Sequence, residues 1–287
     1  MNLSKRHGQS EEEWQTQMAE KILRFVQNEL YQDLRFLDVA FSALLWQPAE
    51  GIRTLATDGS KLYFPAERIC KIFPDNPLYL NRVYLHTVLH CLFAHLWLQQ
   101  GRKRPQWDLA CDIEVEYVID HLEKKSVRRA LSWELRKTYE VMEEKKLLSA
   151  AKIYEYLAET GNDEREKLRR EFYTDNHKFW PEEEKPSPMP NPAREMWDKI
   201  SRQSRMQEER RGAEPEEGEQ SLLRRLKADR SKRSYRDFLR KFAVLREEMQ
   251  CDPDTFDVNF YTYGLSLYGN MPLIEPVETR EVMRIQE

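Results

Sequence analysis

Apolar residues recur on one helical face through the first part of the chain, at Trp14, Met18, Ile22, Phe25, Leu30, Leu34, Leu37, Phe41 and Leu44. A stripe of that period commits the segment to an amphipathic helix whose apolar side must find a core. Ser10 and Glu13 have the spacing of a capping box, in which each side chain caps the other's backbone N–H, so the helix is expected to start there. Pro48 and Gly51 are the first residues able to end it. Only 9 glycines occur in 287 residues, which argues against an all-β or loop-rich fold. The expected class is therefore mainly α, α+β in detail.

One stretch breaks the helical text. In GIRTLATDGSKLYFPAERI two β-prone pieces flank Asp58-Gly59, a tight-turn pair, because Gly accepts the positive φ that such a turn needs. A hairpin over residues 52–64 is expected, as the one β element of the chain. Residues 66–72 read as a short helical turn. Two helices then follow in close order, Leu80 to Gln100 and Trp107 to Lys125, and the short loop between them favours antiparallel neighbours. Residues 1–180 are taken as the first domain. Residues 181–220 are dense in Pro and Glu and are expected to be a charged, mobile linker with one helix near Ala193 to Arg211. Residues 221–287 read as a helical segment, SYRDFLRKFAVLREEM, followed by an aromatic and Pro-punctuated tail.

Composition narrows the function classes. The formal charge of −4 gives no global bias toward nucleic acid or anionic membrane. Basic stretches such as LLRRLKADRSKRSYR carry acidic neighbours and few aligned aromatics. Cys70, Cys91, Cys111 and Cys251 form no CxxC pair, and a reduced, cytoplasmic compartment is expected. The first residues lack the apolar core of a signal peptide, and the longest apolar run, near residues 39–46, is too short to span a bilayer. GxSxG, Walker and GxGxxG patterns are absent.

The chemistry concentrates in LHTVLHCLFAHL, residues 85–96. A helix turns about 100° per residue, so His86 and His90 lie on one face and can share a metal ion, as in HExxH zinc proteases. Thr87 occupies the place of that motif's glutamate, and its hydroxyl is no base at neutral pH. The third ligand is sought on the next helix. In WDLACDIEVEYVID, Asp112 and Glu116 share a face, and buried carboxylates are costly unless paired or metal-bound. Asp112 is the expected third ligand, with Glu116 left to orient a ligand or to act as base. Glu114 is a second candidate base. His95 is nine positions after His86 and points about 180° away on a continuous helix, with no Gly or Pro to break it. His95 and His177, the latter in YTDNHKFW, form a second tier of ligands. His121 reads as a partner of its helix C-terminus. An HxxxH pair is equally what two packed core histidines look like, so the residues alone leave that reading open.

The order TDGSKLYF, LHTVLHCLFAHL, WDLACDIEVEYVID resembles the proposed metallopeptidase (zincin-like) domain that precedes a von Willebrand factor A-like domain in many bacterial proteins. The tail from Phe242 resembles the segment leading into that second domain, whose D-x-S-x-S metal site is expected to be missing from this chain. The resemblance implies a zincin-like helical core with a small β element beside the His-bearing helix. It matches His86 and His90 to the family's metal-binding histidines and Asp112 to the acidic residue of its W-x-x-A-x-D element. It departs at Thr87, in place of Glu, and at Glu116, where many members of that family carry Asn. It also implies companionship with MoxR-type AAA+ ATPases and a role in remodelling other proteins. The expectation is a Zn²⁺-binding, catalytically degenerate domain that works through protein contacts. The rivals are an active zinc peptidase using Glu116 or Glu114, and a metal-free helical scaffold.

Overall fold

The computed structural model describes residues 10–182, 191–211, 215–228, 247–256, 261–262, 265–266 and 276–282. Contacts divide the chain into two units, Met1–Ser231 and Lys232–Glu287. The described part of the first unit is mainly helical with a small three-stranded sheet. No helix among the described residues is long and apolar enough to cross a membrane.

Helix α1 (Glu11–Asp33) begins with the expected capping box, Ser10 Oγ accepting from Glu13 N at 3.1 Å and Glu13 Oε2 from Ser10 N at 3.2 Å. It stops at Asp33 rather than near Pro48. A 3₁₀ turn, the short helix α2 (Asp38–Ser42) and strand β1 (Leu45–Pro48) occupy the rest. The apolar stripe hides this break because Leu34, Phe36, Leu37, Ala40 and Phe41 all enter the same core. No Gly or Pro marks the position.

Strands β2 (Ala56–Thr57) and β3 (Lys61–Phe64) form the expected hairpin, and β1 adds to β3 in parallel, in the order β1-β3-β2. Asp58 Oδ1 caps the turn by accepting from Ser60 N and Lys61 N. Gly59 has φ +89, and a Cβ there would lie 2.6 Å from the Trp97 ring, so glycine is needed twice over. Helix α3 (Ala66–Ile72) packs on α1.

Helix α4 (Pro77–Leu92) is the centre of the unit. Asn76 caps it through Tyr79 N and Pro77 fills the first turn. Every residue from Leu80 to Leu92 is buried. Truncating Leu80, Leu85, Leu89 or Leu92 to Ala is expected to cost roughly 2–5 kcal/mol. The helix does not run on to Gln100. It ends at Phe93, Ala94 takes the left-handed conformation (φ 59), and a 3₁₀ turn follows. Helix α5 (Arg104–His121) packs beside α4.

Helices α6 (Trp133–Glu144), α7 (Ala150–Glu159) and α8 (Asn162–Phe172) follow, with α7 and α8 packed on α5. Within the stretch expected to be a linker, α9 (Pro192–Arg210) is present where a helix was expected, but it is packed rather than free. Its Trp197 is 1% exposed and donates to Gly59 O at 2.7 Å. Helix α10 (Glu217–Ala228) contacts both α5 and α9. Residues 183–190 and 212–214 of that stretch lie outside the described residues.

In the second unit, β4 (Glu247–Phe256) pairs antiparallel with β5 (Pro276–Val282), with a register shift between Asp252 and Phe256. The hairpin is therefore not the only β structure. Most of the helix expected from Ser234 to Met249 falls outside the described residues, and its last three positions are strand.

Candidate metal centre

The site begins as two ladders of four-residue steps. Helix α4 presents Arg82, His86 and His90, and α5 presents Asp108, Asp112, Glu116 and Asp120. Side chains four apart stack on one helix face, so antiparallel packing sets base against acid. Arg82 meets Glu116 at 2.6 Å and Asp120 at 2.7 Å. His86 Nδ1 donates to Glu116 Oε1 at 2.7 Å, and His86 Nε2 lies 3.4 Å from Asp112 Oδ1. His90 Nε2 lies 3.3 Å from the same Asp112 oxygen and 2.8 Å from His86 Nε2.

A third segment completes the cluster. Residues 174–177 are moored to the small sheet: Thr54 Oγ1 donates to Thr174 O, Asn176 N donates to Leu55 O at 2.9 Å, and Ala56 bridges Asn176. Phe179 stacks on Tyr63 at 4.1 Å, and Arg104 donates to His177 O at 2.8 Å. This mooring aims Asp175 and His177 at the helices. His177 Nε2 lies 3.1 Å from Asp112 Oδ1 and 2.8 Å from Asp175 Oδ1. Trp180 stacks on His177 at 3.8 Å and closes over His90.

One donor atom from each of His86, His90, Asp112, Asp175 and His177 lies within 4.8 Å of all the others. Donors about 2.1 Å from a tetrahedral ion would stand about 3.4 Å apart. Within this cluster His177 and Asp175 stand 2.8 Å apart, His90 and Asp112 3.3 Å, and His90 and Asp175 3.8 Å. Buried Asp175 Oδ1 and His177 Nε2 approach to 2.8 Å without aligned hydrogen-bond geometry. Three imidazoles and two carboxylates in a buried pocket thus fit a divalent cation.

The electrostatics are those of a site built around positive charge. Burial alone would push the His86 imidazole down, but Asp175, Asp112 and Glu116 outweigh it and raise it to about 9. His177 is likewise raised, against its burial, by Asp112 and Asp175. His90 is lowered to about 3, by burial first and by its histidine neighbours. Asp112 is held well below the carboxylate range, chiefly by His177 against the cost of burial. Protons on His86 and His177 would carry the same charge as one divalent ion, so binding it displaces protons.

The remaining sequence candidates fall in other places. Glu116 is buried and bound by His86, Arg82 and Arg129; these cations override burial and lower it to about 2. That is the position of a residue that orients His86, the first of the two roles expected for it. Glu114 is not among the five donors: it takes Ala150 N of α7 and Arg225 of α10, and its Oε2 lies 3.4 Å from His95 Nε2. His95 does reach the site's edge, against expectation, because left-handed Ala94 breaks the helix: its Nδ1 is 2.9 Å from His90 Nδ1. Thr87 donates to Asp175 Oδ2 at 3.1 Å, so the residue in the motif's glutamate position orients a carboxylate instead of supplying one. His121 Nδ1 donates to Tyr117 O in its own helix's last turn, as expected. Asp175 was missed. Its only signal is the D-x-H spacing with His177, and nothing local says that the loop turns inward. Beside the cluster lies a cavity of 570 Å³, lined in part by Arg104, Asp108, His177 and Trp180.

A family model described as "Putative metallopeptidase domain" matches residues 19–234. No curated protein and no solved structure matches the chain. The family match covers well over half of the sequence, including all five clustered donors, and the chain belongs to that family.

Proposed function

We propose that this member of the metallopeptidase-domain family binds one divalent metal ion, zinc first, through His86, His90, Asp112, Asp175 and His177, and that it does so without hydrolysing peptides. The observation that carries the reading is the convergence of five protein donors with both nearby glutamates engaged elsewhere. Structural zinc sites are closed by protein ligands, whereas catalytic ones keep a position for water. In a catalytic site the ion would supply Lewis acidity and a water of lowered pKa, but a base must then stand beside it. Thr87 cannot take a proton there, and Glu116 is neutralised by two arginines. Zinc is preferred because imidazole with carboxylate suits it, and the bound ion would tie α4, α5 and the 174–177 segment together.

The function that follows is a protein-interaction module, with a MoxR-type AAA+ ATPase as the proposed partner. A second reading, an active zinc peptidase, draws on one observation. The cavity reaches His177, and Asp108 on its rim lies 3.5 Å from His177 Nδ1.

Elemental analysis of the purified chain tests the first claim. One zinc per chain is expected, lost in His90→Ala. A metal-free wild type would leave the helical scaffold. A peptide-library assay on the loaded protein tests the second claim, and cleavage that disappears in Asp108→Asn would install the peptidase reading.

A further inference from the structure

We propose that helix α10 is coupled to the metal cluster through the side chains of His95, Glu114 and Arg225, so that ion binding and α10 docking favour each other. The proposal rests on the metal-binding reading above. The relay runs outward from a ligand. His90 Nδ1 meets His95 Nδ1 at 2.9 Å, His95 Nε2 lies 3.4 Å from Glu114 Oε2, and the other Glu114 oxygen meets the Arg225 guanidinium. Arg225 also lies over the ring of Phe93, the residue at which α4 ends. His90, His95 and Glu114 are all buried.

A neutral imidazole has one donor nitrogen and one acceptor. If Nε2 of His90 holds a cation, its proton sits on Nδ1 and is donated to His95 Nδ1. The His95 proton is then on Nε2, where it faces the Glu114 carboxylate. Glu114 then accepts from His95 on one oxygen and from Arg225 on the other, so the chain ends on a guanidinium of α10. Because Glu114 can only accept and Arg225 can only donate, the chain has one possible sense, the one that keeps the His90 Nε2 lone pair for the ion. His95, Glu114 and Arg225 are thus positioning residues for His90, of the kind that support metal ligands from behind.

Helix α10 is suited to respond. Its described buried apolar anchors are Leu222 and Leu226. Its close approach to α5 depends on Gly218, where a Cβ would stand 2.0 Å from His121 O. Lys124 adds ion pairs to Glu216 and Glu219, but a 12-residue helix with two buried leucines lies at the low-stability end of a fold. By linkage, whatever the ion adds to its docking, its docking adds to the ion's affinity.

Hydrogen exchange on the full chain, zinc-loaded and chelator-treated, together with zinc competition titrations, tests the coupling. Zinc is expected to slow exchange across 217–228 about tenfold. Arg225→Gln is expected to weaken zinc binding about tenfold and abolish that response, while Arg224→Gln on the exposed side changes neither. Zinc uptake with unchanged exchange at 217–228, or unchanged affinity in Arg225→Gln, overturns the coupling and leaves the metal site standing. No uptake by the wild type overturns both. The wild-type exchange arm decides the matter even if the variant fails to fold.

Discussion

The two sides of the donor cluster are built in different ways. On one side, Arg82, His86 and His90 of α4 face Asp108, Asp112, Glu116 and Asp120 of α5, each set spaced by four on a regular helix. On the other, Asp175 and His177 come from an irregular segment moored to the sheet, and His95 arrives through a left-handed residue. The helical side is a buried ionic network in which cations and carboxylates satisfy one another. The loop side keeps oriented donors whose hydrogen bonding is incomplete. The comparison teaches that the Arg82, Glu116 and Asp120 rungs hold the helices together, whereas the loop completes a donor set that His86, His90 and Asp112 begin. The experiments below try to break that division.

The largest effect is expected at Arg82→Met. The substitution leaves Glu116 and Asp120 sharing Arg129 alone inside the core, and breaking a buried ion pair costs roughly 3 kcal/mol or more. Urea denaturation measures it. A loss below about 1 kcal/mol would mean that the ladder does not hold the fold.

Next comes acid. Folding lowers Glu116 from an ordinary 4.5 to about 2. A depressed carboxylate stabilises the fold above its unfolded value, and that contribution disappears as pH falls from about 5 to about 2. Its size is on the order of 3 kcal/mol. Stability followed by urea at stepped pH should show this drop in the wild type and a shallower one in Glu116→Gln.

The loop side should behave in the opposite sense. Asp175→Asn is expected to keep most of the stability and to weaken zinc about 10–100-fold. A large stability loss with unchanged affinity would erase the distinction between the two sides. The smallest effect belongs to the mooring. Thr54→Val removes the donor to Thr174 O, a cost of about 1 kcal/mol, and should show as faster exchange confined to 174–177.

Much of the ladder was legible. The His86–His90 spacing and the Asp112–Glu116 pair are read directly from periodicity, because the four-residue step is a local property of any helix. The same rule would have found Arg82, Asp108 and Asp120. The Asp58-Gly59 hairpin was legible too, since the turn demands a residue that accepts positive φ. The break after Asp33 was not, because the buried stripe runs through it without a breaker residue. Nor was the break at Ala94, where an ordinary side chain takes a conformation usually left to glycine.

By itself, then, the sequence determined a mainly helical chain, a histidine face, an acidic face and one tight turn. Each of these follows from interactions among neighbours within a few residues. Only the tertiary structure decided that Asp175 and His177 join the cluster, that Thr87 orients Asp175, and that Glu116 is held by two arginines. Those outcomes depend on hydrogen bonds and packing between residues as far apart as Thr54 and Thr174. No local preference encodes such contacts, because their free energy exists only once the intervening helices have packed.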